Sequence, residues 1–257
     1  MNITYIKKRR PQWKPLNMPN LFFWFDADAI TGKNDGDSLS TLSDSSGNSR
    51  NLTGSGATYE TNEINGKAVA RFTADSYSSS RLNASGSKVG CYLVCTRNTD
   101  AINAHFIAFG NWNPDGVFMI GSSYDLTPVF IVYNSNSIRI VELEGSSAGS
   151  ALPTTATLIG FRADVNAGTF QSRRNGSTIS NLTNLSNTTS TLNTSNSALY
   201  TTFGGSNCRG DIAEILIVMG EVSDSNRDKI EGYLAHKWGL TSNLPNNHPY
   251  KNTRPYQ

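Results

Sequence analysis

The chain has 257 residues, a formal net charge of +2 and only 16% charged residues, below the ~25% of an average globular domain. So small a positive surplus argues against nucleic-acid binding by the whole domain, and no window approaches the ~18 apolar residues that a membrane-spanning helix needs. A single β-sandwich of this length can bury a sizeable core without disulfides.

Residues 1 to 20 stand apart from the rest. They hold Lys7-Lys8-Arg9-Arg10, then Pro11, Trp13 and Pro15, with no apolar period. Proline removes a backbone donor and disfavours helix, so the segment is expected to be an extended basic arm. Two readings stay open for it: a disordered leader, or an anchoring arm that orders against a partner through Lys7, Lys8, Arg9, Arg10 and Trp13. Proline and Gln12 follow the basic run where a secretory signal would have an apolar stretch, so no export signal is read here.

From residue 21 onward strands are expected. After an opening strand at Leu21–Asp28 come Ala68–Phe72, Val89–Thr96, His105–Gly110, Val117–Gly121, Val129–Tyr133 and Ile138–Leu143. Leu158–Ala163, Phe170–Arg174, Leu199–Gly204 and Ile212–Val218 complete the series. Their links are rich in Gly, Asn, Asp and Ser, as sandwich connections are. Asn175-Gly176 is the clearest turn, because both residues tolerate the positive φ of a type I′ hairpin. The Ser/Thr/Asn tract of residues 177–198 keeps apolar residues every few positions, which implies a strand or two with polar loops rather than a linker. One amphipathic helix closes the chain: Ile230, Tyr233, Leu234 and Trp238 share a face, Ser223 or Asp224 caps its start, and Gly239 suits a left-handed residue just past its end.

Several stretches carry a family resemblance. Leu21-Phe22-Phe23-Trp24-Phe25-Asp26-Ala27-Asp28, Leu42-Ser43-Asp44-Ser45-Ser46-Gly47-Asn48, Asn65-Gly66-Lys67-Ala68-Val69-Ala70-Arg71-Phe72 and the run from Gly210 through the helix to His248-Pro249-Tyr250 resemble the bacterial and phage laminin-G-like jelly rolls. These belong to the concanavalin A-like lectin/glucanase fold group. Leu42 stands where that family usually has Trp. The resemblance brackets residues 21 to 250 and implies an all-β, two-sheet antiparallel jelly-roll sandwich with one C-terminal α-helix, spanning residues 21 to 257 behind the arm of residues 1 to 20. Relatives serve as adhesion modules, lectins, enzyme appendages and virion proteins, so the resemblance is specific for fold and not for function.

Catalysis on this fold needs two carboxylates on one face of a strand, ~5–5.5 Å apart for a retaining glycosidase. The close acidic pairs are Asp26 with Asp28, Glu142 with Glu144, and Asp211 with Glu214. The first belongs to the opening motif and the second reads as a solvated face. The third has odd spacing, which on a regular strand points its side chains to opposite faces. His105, His236 and His248 accompany no Gly-x-Ser-x-Gly elbow, and His236 and His248 read as structural. Cys91 and Cys95 share a strand face ~13 Å apart, too far to bridge. Buried free thiols are expected, although a Cys91–Cys208 pair stays open. No catalytic residue, metal site or cofactor is therefore expected. Calcium is the one exception considered, at Asp35 and Asp37, where turn chemistry explains the acids equally well.

A sugar site needs an aromatic platform beside amide and carboxylate groups, since pyranose rings have an apolar face and a polar rim. Trp112, Asn113 and Asp115, with Tyr124 after the next strand, form the best such cluster in the sequence, although Trp112 can equally cap the core beneath its loop. The expectation is a non-enzymatic phage virion protein: a capsid decoration, head-fibre or tail-associated module. It would assemble in the bacterial cytoplasm, be anchored by its arm to other virion proteins, be homo-oligomeric on the particle, and contact glycans but neither nucleic acid nor membrane. The alternative is a carbohydrate-binding or adhesion module at the bacterial cell surface.

Overall fold

A computed structural model describes residues 10–73, 75–82, 86–97, 105–109, 117–122, 127–133, 138–143, 151–189, 191–192, 197–202 and 209–257. In chain order the strands are β1 (Leu21–Asp26), β2 (Asp37–Ser38), β3 (Thr41–Leu42), β4 (Leu52–Ser55), β5 (Thr58–Ile64), β6 (Lys67–Thr73), β7 (Ser76–Leu82), β8 (Lys88–Cys95) and β9 (His105–Phe109). They continue as β10 (Phe118–Ser122), β11 (Pro128–Tyr133), β12 (Arg139–Leu143), β13 (Thr157–Asp164), β14 (Thr169–Arg174), β15 (Ser177–Leu182), β16 (Ser197–Thr202) and β17 (Arg209–Val218), and the helix α1 is Asp224–Lys237. The chain is thus an all-β sandwich with one C-terminal helix.

One sheet runs β15-β14-β13-β8-β17-β6-β5-β2, with β1 also paired to β17, and the other runs β12-β11-β10-β9-β16-β7-β4-β3. The pairings are antiparallel, including the crossovers that set β17 beside β8 and β16 beside β7. Such non-consecutive neighbours are what a jelly roll produces.

The core between the sheets is rich in aromatic rings. Phe161 lies 5.4 Å from Phe118, 6.4 Å from Phe130 and 5.6 Å from Phe170, centroid to centroid. Cys91 and Cys95 are buried free thiols on this inner face, and burial pushes both thiols up, away from the reactive thiolate. Cys208 lies outside the described residues. Leu42 is fully buried in the same core.

The helix lies on the other face of the nine-stranded sheet. Ile230, Leu234 and Trp238 from α1 pack on Val69, Tyr92, Val94, Leu158, Ala213, Leu216 and Val218. Both faces of β8 and β17 are therefore covered, which is why each reads as a near-continuous apolar run rather than an alternation. Ser223 caps α1 by accepting from the Asn226 N–H, and Gly239 takes φ +72° just beyond the helix end. Gly232 lets the tail cross the helix closely, since a Cβ there would strike Tyr250.

All the strands read from the sequence are present, with ends within three residues of those expected. Those not foreseen, β2 to β5 and β7, are short or rich in Ser and Thr. β7 (Ser-Tyr-Ser-Ser-Ser-Arg-Leu) offers little apolar alternation, yet Tyr77 is fully buried, donating to the Leu39 carbonyl at 2.5 Å and accepting from the Ala57 N–H at 3.1 Å. The family-like turn at residues 42–48 is a polar brace: Asp44 accepts from the N–H groups of Trp24, Ser46 and Arg50 at 2.9–3.0 Å.

Two sequence expectations are corrected. β17 carries a bulge, in which Ile212 pairs with Cys95 and Glu214 with Val94, leaving Ala213 as the extra residue. The bulge resets the alternation. Asp211 and Glu214 therefore both meet partners on the helix side of the sheet, Arg71 and Thr96 for the first, Trp24, Tyr233, Lys237 and Trp238 for the second. The second correction concerns the arm. Trp13 is 4% exposed and Met18 is buried beside it in the cluster under α1, so the last part of the arm belongs to the domain. Trp13 is occupied within its own chain, in the cluster under α1; Arg10 is exposed.

Candidate functional site: a cavity beneath the N-terminal arm

The arm is held by the tail. The Trp13 N–H donates to the Pro255 carbonyl at 3.0 Å, the Gln257 N–H donates to the Pro11 carbonyl at 3.1 Å, and Gln12 and Tyr256 form an antiparallel bridge. Pro15 holds Lys14 extended before opening a short 3-10 turn at Pro15–Asn17, and the Trp13 ring meets Tyr233 of α1 edge-on at 5.8 Å. Arm and tail thus roof a cavity of about 430 Å³, within the range of small-ligand sites.

Three further elements, together with the tail, supply its walls. From β1 come Trp24 and Asp26, from the β5–β6 hairpin Asn65 and Lys67, from the last turns of α1 Tyr233, His236 and Lys237, and from the tail Arg254 and Pro255. The hairpin is tight because Asn65 and Gly66 both adopt positive φ, 52° and 68°, as a type I′ turn requires. Asn65 also ties hairpin to helix, donating from Nδ2 to the Lys237 carbonyl at 3.0 Å.

Glu214 lies fully buried at the base of these walls, with every acceptor position engaged. Oε1 accepts from Trp24 Nε1 at 2.8 Å and Tyr233 Oη at 2.9 Å; Oε2 accepts from Trp238 Nε1 at 2.7 Å and faces Lys237 Nζ at 2.9 Å. Lys237 bridges on to Asp26 Oδ2 at 2.5 Å. Burial, and then the charge of Asp26, push the Glu214 carboxyl up, while Lys237 and Trp238 pull it back. Burial, and then the charge of Glu214, hold the Tyr233 phenol far above its ordinary range, so it stays a donor. Asp28 is matched by Lys67 at 2.7 Å. His236 is fixed as a donor from Nε2 to the Tyr250 carbonyl at 2.8 Å. The carboxylates here orient rings and cations, and none is placed as a free acid or base.

The other acidic groups are similarly occupied. Asp211 receives Arg71 Nε at 2.8 Å, and Glu142 pairs with Arg139; Glu144 lies outside the described residues. Asp35 accepts from the N–H and hydroxyl of Thr61 at 2.7 and 2.8 Å, and the Thr61 N–H, then its hydroxyl, hold the carboxyl below its usual range. Asp37 accepts from the Asn34 N–H within its turn at 2.7 Å, whereas Asp35 is tied across to β5, so turn chemistry accounts for Asp37 alone. Asp228, Glu231 and His248 lie close enough together to suggest a metal set. Their donor atoms are spent on one another and on arginines. Arg173 grips both oxygens of Glu231 at 2.7 and 3.2 Å, and Arg227 holds Asp228 at 2.8 Å. His248 Nδ1 accepts from the Tyr250 N–H at 3.2 Å, so its proton sits on Nε2 and points to Glu231, also at 3.2 Å. That arrangement clamps the tail to the helix.

A second cavity of about 320 Å³ opens near β13, β14 and β15. Its cations are already paired, Lys88 with Asp164 and Glu221 and Arg162 with Asp224, and it lacks the indole and phenol surfaces found under the arm.

Of the residues singled out from sequence, Trp112, Asn113, Asp115 and Tyr124 lie outside the described residues, as do Lys7, Lys8 and Arg9. Trp13 is brought to the cavity; Arg10 is not among its walls. Sequence reasoning missed Trp24, Asp26, Asn65, Lys67, Tyr233 and Lys237 as a set. The available signals were the i,i+4 spacing of Tyr233 and Lys237 and an Asn-Gly pair before Lys67, but nothing local indicated that the arm folds back over them.

No family model and no curated protein matches the sequence. Solved structures do match, and their likeness places the chain among jelly-roll β-sandwich folds. The binding domain of Paraclostridial Mosquitocidal Protein 1 matches at 14% identity and TM-score 0.63, over 85% of this chain and 53% of that one. Domain 4 of AbnA, a GH43 extracellular arabinanase of Geobacillus stearothermophilus solved in complex with arabinotriose, matches at 17% identity and TM-score 0.57, over 80% of this chain and 96% of that one. The binding domain of botulinum neurotoxin DC in complex with SialylT matches at 12% identity and TM-score 0.60, over 85% and 52% respectively. The chain spans about half the length of the toxin domains but nearly all of the arabinanase domain. The two toxin structures are binding domains, and at such identities the likeness is one of fold.

Proposed function

We propose that this chain is a non-catalytic carbohydrate-binding module and that the cavity beneath the arm is its binding site. The observation that carries the reading is the composition of those walls: ring surfaces of Trp13, Trp24 and Tyr233 beside the polar groups of Asn65, Asp26 and Lys67. Aromatic faces suit the C–H face of a sugar, and the polar rim suits its hydroxyls. The match to nearly the whole of an arabinotriose-holding domain supports the same reading. A glycan array, followed by hydrogen exchange with each hit, tests it. Protection is expected at residues 12–15, 24–26, 65–67 and 233–237. Protection centred instead on Trp112 and Tyr124 would move the site there, and an array without hits would remove the function.

For its setting we propose a phage particle, as a decoration, head-fibre or tail-associated module joined to other virion proteins through the basic residues ahead of Pro11. Support comes from the run Lys7–Arg10, which precedes a segment latched to the domain by Trp13 and by the tail, so an attached leader would leave from a fixed point. Because Trp13 and Met18 are part of the fold, the deletion that tests this is residues 2 to 9. Loss of particle incorporation with glycan binding retained is expected; normal incorporation would overturn it. Attachment to a bacterial cell surface is the alternative that the same deletion addresses.

A further inference from the structure

We infer that the ligand of the cavity beneath the arm is an anionic glycan, one carrying a carboxylate or a sulfate ester, bound by Lys14 and Arg254. This rests on the reading of that cavity as a sugar site and goes further by naming the class of sugar.

The argument is one of charge matching. Lys14, Lys67, Lys237 and Arg254 line the cavity, against one lining carboxylate, Asp26. Each inner cation is already matched: Lys67 by Asp28 at 2.7 Å, Lys237 by Asp26 at 2.5 Å and Glu214 at 2.9 Å. Lys14 and Arg254 are different. Both are exposed, and neither forms an ion pair among the described residues. They come from the two strands of the arm–tail clasp, which the Trp13–Pro255 hydrogen bond and the Gln12–Tyr256 bridge hold together. Two unmatched cations are thus presented at one mouth, above rings and amides that suit a sugar.

A guanidinium offers parallel N–H donors that fit a carboxylate or sulfate in the plane, and an ammonium adds a mobile point charge. Lys237 sits between Glu214 and Asp26 and offsets part of their charge, so an incoming anion is placed at the outer cations, Lys14 and Arg254, rather than beside these carboxylates. A neutral sugar would leave Lys14 and Arg254 idle; an anionic one gives each a charge-assisted partner.

The test compares matched ligands on the intact chain: 3′-sialyllactose, 3′-sulfolactose and lactose, with an oligogalacturonate and its reduced neutral form as a second core. Expected are binding of at least one acidic member, at least ten-fold weaker binding of its neutral parent, and loss of that difference in the Lys14→Ala/Arg254→Ala double variant. Both positions are exposed, so the variant is expected to fold; an unchanged melting temperature and far-ultraviolet spectrum check this. Affinity should also fall several-fold between 50 and 500 mM NaCl. Equal binding of acidic and neutral members, or an unchanged affinity in the folded double variant, overturns the anionic assignment while leaving the sugar site standing. Absence of binding to every glycan of either kind overturns both. The sialylated and sulfated arms separate carboxylate from sulfate ester as the group recognised.

Discussion

The two faces of the nine-stranded sheet are built on different physics. Its inner face meets the second sheet through Phe161, Phe170, Phe72, Ile215 and Ile217, almost entirely hydrocarbon. Its outer face meets a single helix and both chain ends, and there the chain buries Glu214, Glu231, Asp26 and Asp211 among its apolar contacts. Sheet-on-sheet packing covers area uniformly and leaves no room for charge. A lone helix and two chain ends cover the opposite face only in pieces, and ion pairs with fixed geometry set how those pieces sit. Adhesion thus comes chiefly from the inner face, and the position of helix, arm and tail from the outer one. The candidate site lies where the positioned pieces meet.

The sharpest way to break this comparison is to remove mass from the inner face. Phe161→Ala is expected to cost about 3–5 kcal/mol in chemical denaturation, because its three ring neighbours cannot close the void. On the outer face, Arg173→Met should cost about 3 kcal/mol by leaving Glu231 buried beside His248 with its main partner gone. The double change Arg173→Met/Glu231→Leu should cost less than Arg173→Met alone, since it removes the stranded charge. If the double change is as damaging as the sum of the two singles, the outer face is not held by compensating charge. Smaller again, Asn65→Gly keeps the positive φ but deletes the hydrogen bond to the Lys237 carbonyl, and should cost about 1 kcal/mol in the same measurement.

The smallest effect is one of pH. Arg162 hydrogen-bonds Asp224 at the first turn of α1 and holds its carboxyl below the ordinary value of 3.8. A carboxyl lowered on folding adds stability above its unfolded value, and that stability is lost as pH falls through the folded value. Asp224 is largely exposed, so solvent screening keeps the pair within about 1 kcal/mol. Melting temperatures of wild type and Arg162→Gln should differ at pH 6 and converge as pH falls below 3.8; a constant gap would assign Arg162 a packing role instead.

Local chemistry made much of the scaffold legible. β8 and β17 announce themselves as apolar runs, Asn175-Gly176 as a hairpin, and Ser223 and Gly239 as the ends of a helix whose buried face follows from 3.6-residue periodicity. These are properties of neighbouring residues, readable in a short window. β7 was not legible because serines separate its two large apolar residues, Tyr77 and Leu82, and Tyr77 is held by carbonyl and amide partners far away in sequence. The bulge at Ala213 was equally hidden, since it depends on the register with β8, and with it the shared face of Asp211 and Glu214.

The sequence by itself determined an all-β sandwich closed by one helix, because strand alternation, turn chemistry and capping act over a few residues. Only the tertiary structure decided what the ends do. Trp13 and Pro255 lie at opposite ends of the chain and meet because the tail offers the arm a backbone edge to pair with. Contacts of that range depend on the whole fold being in place, and so the cavity they roof had no signature in any one stretch of the chain.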